Sequence, residues 1–91
     1  MTYAKRTDAN HQPIVHAFRA AGWSVCHTFR LGDSAPDLFV SKLGRTIAVE
    51  IKTRLGKVSP GQADWLSSWQ GESAVVRSVE DVMALVGGRH D

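Results

Sequence analysis

The spacing of apolar residues predicts a helix over residues 10–21. Its apolar stripe repeats at helical spacing and consists of Ile14, Val15, Phe18 and Ala21. Asn10 is a favourable N-cap residue, and Gly22 is a typical helix stop. Residues 1–9 are polar and lack this periodicity, so we interpret them as a flexible start to a single domain over residues 10–88.

Three strands are predicted after this helix. Residues 23–29 alternate apolar and polar side chains, which is typical of a strand, and residues 31–36 are rich in turn formers. The second and third strands are predicted over residues 37–41 and 46–53. They are joined at Leu43-Gly44, although this pair is a weaker hairpin signal than Asn-Gly.

A second helix begins clearly at Ser59-Pro60-Gly61-Gln62. Ser59 is the predicted N-cap, Pro60 the first helical residue and Gln62 the partner in a capping box. Gly71 is predicted to end this helix, and residues 74–77 form a short strand. Ser78 and Asp81 then cap a last helix that stops at Gly87-Gly88.

This order of elements predicts an α/β fold. It consists of a mixed four-stranded sheet flanked by helices, in the order αβββαβα. The first three strands form an antiparallel meander. The fourth follows a helical crossover, which is the usual route to a parallel neighbour.

Length and composition are those of one small globular domain. The chain has 91 residues, 43% of them apolar and 22% charged. A domain of this size buries a modest core, which favours self-association. Cys26 is the only cysteine, so an intrachain disulfide is excluded. The first residues lack the apolar stretch of a signal peptide, and nothing reads as a membrane span. We therefore expect a cytoplasmic protein.

Charge is distributed unevenly although the net charge is only +2. Basic residues dominate the first two thirds of the chain, and acidic residues dominate the last third. This pattern suits a protein that presents one face to phosphates. An ordinary solvated surface is the alternative.

Two carboxylates are expected to face each other across the hairpin. If Lys42 lies opposite Arg45, counting back along both strands puts Asp37 opposite Glu50. Directly opposed Cβ atoms are roughly 4.5–5.5 Å apart, and two carboxylates so placed repel each other. A slip of one residue would put Asp37 on the other face. The alternative interpretation is a solvated strand edge.

A divalent cation between these carboxylates would turn the repulsion into attraction, because magnesium prefers oxygen ligands. It would polarise a phosphodiester and lower the pKa of water. Lys52 lies two residues from Glu50 and so projects from the same face. Its ammonium group suits orientation of water or stabilisation of charge on the phosphate.

Pro36-Asp37 followed by Glu50-Ile51-Lys52 resembles the PD-(D/E)xK nuclease superfamily, whose restriction-endonuclease-like core has the predicted element order. More narrowly, the chain resembles the small virus-type replication-repair (VRR-NUC) nucleases found in phages. Further features that carry this likeness are Asp8-Ala9-Asn10, the glycine-containing loop before Pro36, Ser59-Pro60-Gly61-Gln62 and Val76-Arg77-Ser78. Together they cover residues 8 to 87.

The resemblance implies a role for each matching residue. Asp37, Glu50 and the backbone carbonyl of Ile51 would bind Mg²⁺ or Mn²⁺, Lys52 would be the catalytic lysine, and Gln62 would point into the site. The implied reaction is endonucleolytic hydrolysis of DNA. The implied setting is a homodimer on four-way-junction or other branched DNA, inside a bacterial host cell for a phage protein. The family also places a glutamate early in the first helix, where this chain has His11-Gln12-Pro13.

The roles of several basic, aromatic and histidine residues have two possible interpretations. For Arg30, Arg54 and Lys57, phosphate contact and simple solvation are both open, and Lys5 and Arg6 form a candidate basic arm. We expect the three tryptophans, Trp23, Trp65 and Trp69, to serve core or dimer packing in preference to base stacking. The spacing of His11, His16, His27 and Cys26 matches no familiar zinc site.

Three functions follow from these observations. The first is a magnesium-dependent DNA endonuclease. The second is a DNA-binding module on the same fold that has lost turnover together with the first-helix acid. The third is a protein-interaction domain in which the carboxylate pair is incidental.

Overall fold

The computed structural model describes residues 2–32 and 34–87, with side chains from Asn10 onward. The elements are α1 (Thr2–Ala20), β1 (Ser24–His27), a 3-10 turn (Phe29–Leu31), β2 (Leu38–Lys42), β3 (Arg45–Ile51), α2 (Pro60–Ser68), β4 (Glu72–Val76) and α3 (Val79–Gly87). The predicted α/β class and the order αβββαβα are therefore confirmed. Over the described ranges, no helix is both long and apolar enough to cross a membrane.

The four strands form one mixed sheet in the order β1-β2-β3-β4. β1, β2 and β3 pair antiparallel, and β4 pairs parallel with β3. Lys42 lies opposite Arg45, as the predicted hairpin requires. Leu43 and Gly44 both have positive φ angles, 51° and 85°. A type I′ turn needs such angles at both central residues.

The core lies on the face of the sheet that packs against α1 and α3. Its buried side chains include Ile14, Phe18, Leu38, Val40, Ile47, Val49, Val76 and Val82. β3 is buried on both faces, because its residues from Ile47 to Ile51 are all covered. A central strand of this kind carries Glu50 into the interior and not along a solvated edge.

The predicted start of α1 is wrong. The helix begins at Thr2, so the predicted division between residues 9 and 10 coincides with no element boundary. Asn10 lies inside the helix and does not cap it. Its side-chain amide instead donates a hydrogen bond of 2.9 Å to the backbone oxygen of Lys52. A contact across 42 positions of sequence is invisible to local capping rules.

Strand limits also differ from the prediction. β1 ends at His27, because the chain turns into the 3-10 segment at Phe29 and no longer follows β2. β3 ends at Ile51, two residues before the predicted limit. α2 ends at Ser68 with Trp69 as its C-cap, so Gly71 lies beyond the helix. β4 begins at Glu72, two residues earlier than predicted.

Candidate active site

Asp37 is held in place by the segments on both sides of it. The backbone N–H of Thr28 donates to the Asp37 carbonyl at 2.8 Å, and the Thr28 hydroxyl donates to the Pro36 carbonyl at 2.8 Å. Oδ2 of Asp37 accepts a hydrogen bond of 2.8 Å from the backbone N–H of Ile51. The carboxylate is therefore fixed against the end of β3.

Glu50 is almost completely buried, with 2% of its surface exposed. Gln62 Nε2 donates a hydrogen bond of 2.7 Å to Glu50 Oε2. The ammonium nitrogen of Lys52 lies 3.5 Å from the same oxygen. The site thus joins two strands and the first turn of α2.

The geometry around Glu50 opposes ionisation of its carboxyl group. The pKa of Glu50 is raised from 4.5 to about 7, mainly by burial and in addition by the charge of Asp37, whereas Lys52 acts in the opposite direction. The carboxyl group of Asp37 thus lies close enough to that of Glu50 to oppose its charge. The register predicted from the hairpin thus brings the two carboxyls together, since Leu38 is paired with Val49 immediately beside them.

Gln62 has two structural roles. Its Oε1 accepts from the Ser59 N–H at 2.9 Å, and its own N–H donates to Ser59 Oγ at 3.2 Å, which completes the predicted capping box. Its Nε2 remains available for Glu50. The cap therefore orients the amide so that its donor faces the buried carboxylate.

Two variants separate these roles. In metal-free protein at pH 8, Ser59→Ala should cost about 1 kcal/mol of unfolding free energy, because it removes only the cap. Gln62→Glu keeps an acceptor for Ser59 but replaces the donor to Glu50 with a third carboxylate. It should cost about 2 kcal/mol or more. Urea unfolding with and without Mg²⁺ measures both.

Mg²⁺ should reduce the loss of unfolding free energy caused by Gln62→Glu and leave the loss caused by Ser59→Ala unchanged. The reason is that residue 62 lies against the carboxylate pair and residue 59 does not. If both variants lose the same unfolding free energy and neither loss changes with Mg²⁺, Gln62 has no role in the site.

Lys52 follows β3 at a point where the backbone is fixed from two sides. Its N–H donates to the Val76 carbonyl at 3.0 Å, and its carbonyl accepts from Asn10. The loop that follows is held by Arg77, whose Nη1 donates to the carbonyls of Thr53 at 2.8 Å and Gly56 at 2.6 Å. These contacts fix the backbone from which the Lys52 side chain projects.

His11 occupies the place where the resemblance leads us to expect an acid. Its Nε2 lies 3.8 Å from Oδ1 of Asp37, and its side chain is 12% exposed. Gln12 and Pro13, the neighbouring residues, are exposed. From residues 10–20, the part of the first helix whose side chains are described, the site receives an imidazole and no carboxylate.

The oxygen donors of the site suit a divalent cation. A cavity of about 390 Å³ opens over the site and is lined by Asn10, His11, Asp37, Glu50, Ile51, Lys52, Thr53 and Gln62. No cluster of three or more His, Cys, Asp or Glu side chains with metal-holding spacing occurs in the described part of the chain. Two close carboxylates with Ile51 beside them nevertheless provide the hard oxygen ligands that Mg²⁺ and Mn²⁺ accept, with water completing the shell. The residues present therefore fit such an ion.

The predicted DNA-binding residues are not all brought together. Arg54 and Lys57 are exposed in the loop that follows Lys52. Arg30 is exposed in the 3-10 turn, with its guanidinium 5.8 Å from the centre of the Phe29 ring. The side chains of Lys5 and Arg6 lie outside the described residues.

Trp23 packs in the core as predicted, whereas Trp65 and Trp69 pack on Phe39 outside the buried core and Trp69 is 37% exposed. Trp23 is 6% exposed and belongs to the core. Trp65 and Trp69 stack on each other at 5.1 Å between ring centres and surround Phe39.

The positioning roles of Asn10, Thr28 and Arg77 are not predicted from the sequence. The sequence favours Asn10 as an N-cap, Thr28 as a residue of the first strand and Arg77 as part of a family-like motif. Each of the three donates a side-chain hydrogen bond to a backbone carbonyl in a partly buried position. No local sequence signal announces such a partner.

Comparisons with protein-family models, with curated proteins and with solved structures find no match. The likeness to a nuclease family therefore depends on the motif residues alone, and function must be argued from the chemistry of this site.

Proposed function

We propose that this chain is a metal-dependent endodeoxyribonuclease of the PD-(D/E)xK type, resembling the VRR-NUC nucleases. One observation carries the proposal. The buried Glu50 faces Asp37 while Lys52 lies 3.5 Å from a Glu50 oxygen, at the base of an open cavity. An ion pair that served only stability would not explain this arrangement, because the second carboxylate repels Glu50 and so weakens the pair with Lys52.

The electrostatic free energy needed to hold two carboxylates together supports the proposal that a cation binds between them. Burying a charged group is unfavourable unless it is paired, and here the ammonium partner of Glu50 is opposed by the second acid, Asp37. A divalent ion offsets both charges. Sites with pKa values shifted in this way occur more often at functional centres than elsewhere.

Each residue has a task in hydrolysis of a phosphodiester. When bound, the divalent cation supplies Lewis-acid polarisation of the phosphate and makes water more nucleophilic at neutral pH. Asp37, Glu50 and the Ile51 carbonyl would hold that ion. Lys52 donates hydrogen bonds to the attacking water or to a phosphate oxygen that gains charge. Gln62 keeps Glu50 oriented.

DNA as the substrate is supported by exposed cations beside the cavity. Arg54 and Lys57 follow Lys52 directly along the chain, where they are suited to contact phosphates on either side of the cleaved bond. Branched or junction-like DNA, a homodimeric state and an intracellular setting rest on the resemblance to the phage-type family.

A cleavage assay with a matched pair of variants tests the proposal. Wild-type protein with Mg²⁺ or Mn²⁺ should cut linear, single-stranded, flap or four-way-junction DNA. Asp37→Asn should lower the rate about 100-fold or more, since loss of even an outer partner of a metal site costs 10–100-fold. Asp64→Asn, the same change at an exposed position of α2, should cleave normally.

Melting temperature provides a second readout that does not depend on turnover. Either metal should raise it for wild type and for Asp64→Asn, and not for Asp37→Asn, because a ligand of the folded state stabilises that state. No cleavage of any DNA and no metal response would overturn the proposal and favour a protein-interaction domain.

A second candidate function is supported by His11. The imidazole stands where the family's first-helix acid is expected, so a DNA-binding module without turnover is the alternative. Salt-sensitive DNA binding with no cleavage in either metal would favour it.

A further inference from the structure

A second cavity of about 260 Å³ lies beside the carboxylate site, between α1 and the segment after β1. We call it the histidine pocket. It is lined by His11, Gln12, Val15, His16, Arg19, His27 and Phe29. His11 lines both cavities, so the two share a wall.

One wall of the histidine pocket is aromatic. The Phe29 ring meets the rings of His11 and His27 edge to face, with centres 5.9 and 6.3 Å apart. Phe29 is nevertheless 40% exposed, although the large apolar side chains of the core are covered. An aromatic ring held in a fixed orientation and left open to solvent is suited to stacking against another flat ring.

The opposite wall is polar, and none of the described residues that line it is an acid. Arg19 supplies a permanent positive charge, while Gln12 and His16 supply hydrogen-bonding groups. Arg30 adds a second cation next to Phe29. Buried Val15 lines the same cavity. A ligand for this pocket is therefore small, flat, aromatic and negatively charged.

We propose that the histidine pocket binds a single unpaired DNA nucleotide next to the phosphodiester that the carboxylate site holds. The base stacks on Phe29, and its phosphate contacts Arg19. A base within a duplex enters less readily, because it must first be unstacked and unpaired. The inference rests on the proposed function for the position of the cleaved bond. It adds a physical reason for choosing distorted DNA over a regular duplex.

Binding of 2-aminopurine DNA tests the pocket without turnover. Two duplexes are compared in Mg²⁺ with the Lys52→Met protein, one with an unpaired 2-aminopurine and the other with the same base paired. We expect tighter binding of the first by at least about fivefold, which is the low end for one stacked base. Its fluorescence should fall as the base stacks on Phe29.

Variants of the pocket should remove this preference. Phe29→Ala and Arg19→Gln should bind both duplexes equally, and Phe29→Trp should retain the preference by keeping a stacking ring. Leu43→Ala at the hairpin tip and Arg45→Gln are the matched controls, because they remove an exposed apolar residue and one positive charge away from the pocket. Thermal melting checks that every variant is folded.

Equal affinity of the parent protein for both duplexes, or a preference that survives Phe29→Ala, would overturn the inference. Cleavage by protein with Lys52 intact is scored separately. A lost preference with intact cleavage refutes the pocket alone. A preference that persists without any cleavage refutes the proposed function and leaves the pocket standing.

Discussion

Replacing Glu50 with glutamine is expected to stabilise the metal-free protein above pH 7 and to abolish its stabilisation by Mg²⁺ or Mn²⁺. Glutamine has nearly the same shape as glutamate and retains an oxygen that accepts from Gln62. It removes a charge that is buried beside Asp37. The same substitution thus improves the fold and disables the site.

The sign and the pH window follow from the raised pKa of Glu50, which is 4.5 in its ordinary state and about 7 here. Between these values the unfolded chain has lost the proton that the folded protein still holds. Stability from this group is therefore fully present below pH 4.5 and falls as pH rises to about 7. The full loss is about 3 kcal/mol.

Thermal and urea unfolding of the metal-free protein across pH 4 to 9 would measure this effect. Wild type should lose stability with rising pH in that window, and Glu50→Gln should lose less. Glu80→Gln, the same change at an exposed position of α3, should follow wild type. A Glu50→Gln protein that is less stable than wild type at pH 8, or that still responds to magnesium, would contradict this account.

The centre of the site could be predicted because one local feature determines it. The two-residue turn at Leu43-Gly44 fixes the register, and register fixes which side chains face each other. Apolar residues at Val49 and Ile51 then require Glu50 to face the other way. This chain of reasoning spans 14 residues and uses no distant contact.

The periphery of the site could not be predicted because it depends on packing between distant segments. Asn10 reaches Lys52 and His11 reaches Asp37 only after α1 has docked across the sheet. A capping rule applied to Asn10 gave the wrong helix start for the same reason. The depth of Glu50 is not predicted either, because the sequence does not reveal that β4 pairs along the free edge of β3 or that Gln62 of α2 lies against Glu50.

Lys52→Met is expected to lower the rate of DNA cleavage by about 10²–10³-fold while leaving metal binding intact. The ammonium group lies 3.5 Å from Glu50 Oε2, and Lys52 lines the cavity over the carboxylates, where water or phosphate would be within its reach. Methionine keeps most of the apolar stem, so packing is retained. Loss of the charge should therefore slow mainly the chemical step, in which negative charge develops on the phosphate.

Single-turnover cleavage separates this role from a structural one. The rate of the chemical step should fall for Lys52→Met, while its affinity for DNA and its metal-induced rise in melting temperature should stay near those of wild type. Lys42→Met is the matched control, because Lys42 is exposed and donates to the Ala21 carbonyl, away from the carboxylates. If Lys52→Met cleaves at the wild-type rate, Lys52 is only a counter-ion for Glu50. If it cleaves slowly but no longer responds to metal, its charge is needed to assemble the site and not for the chemical step.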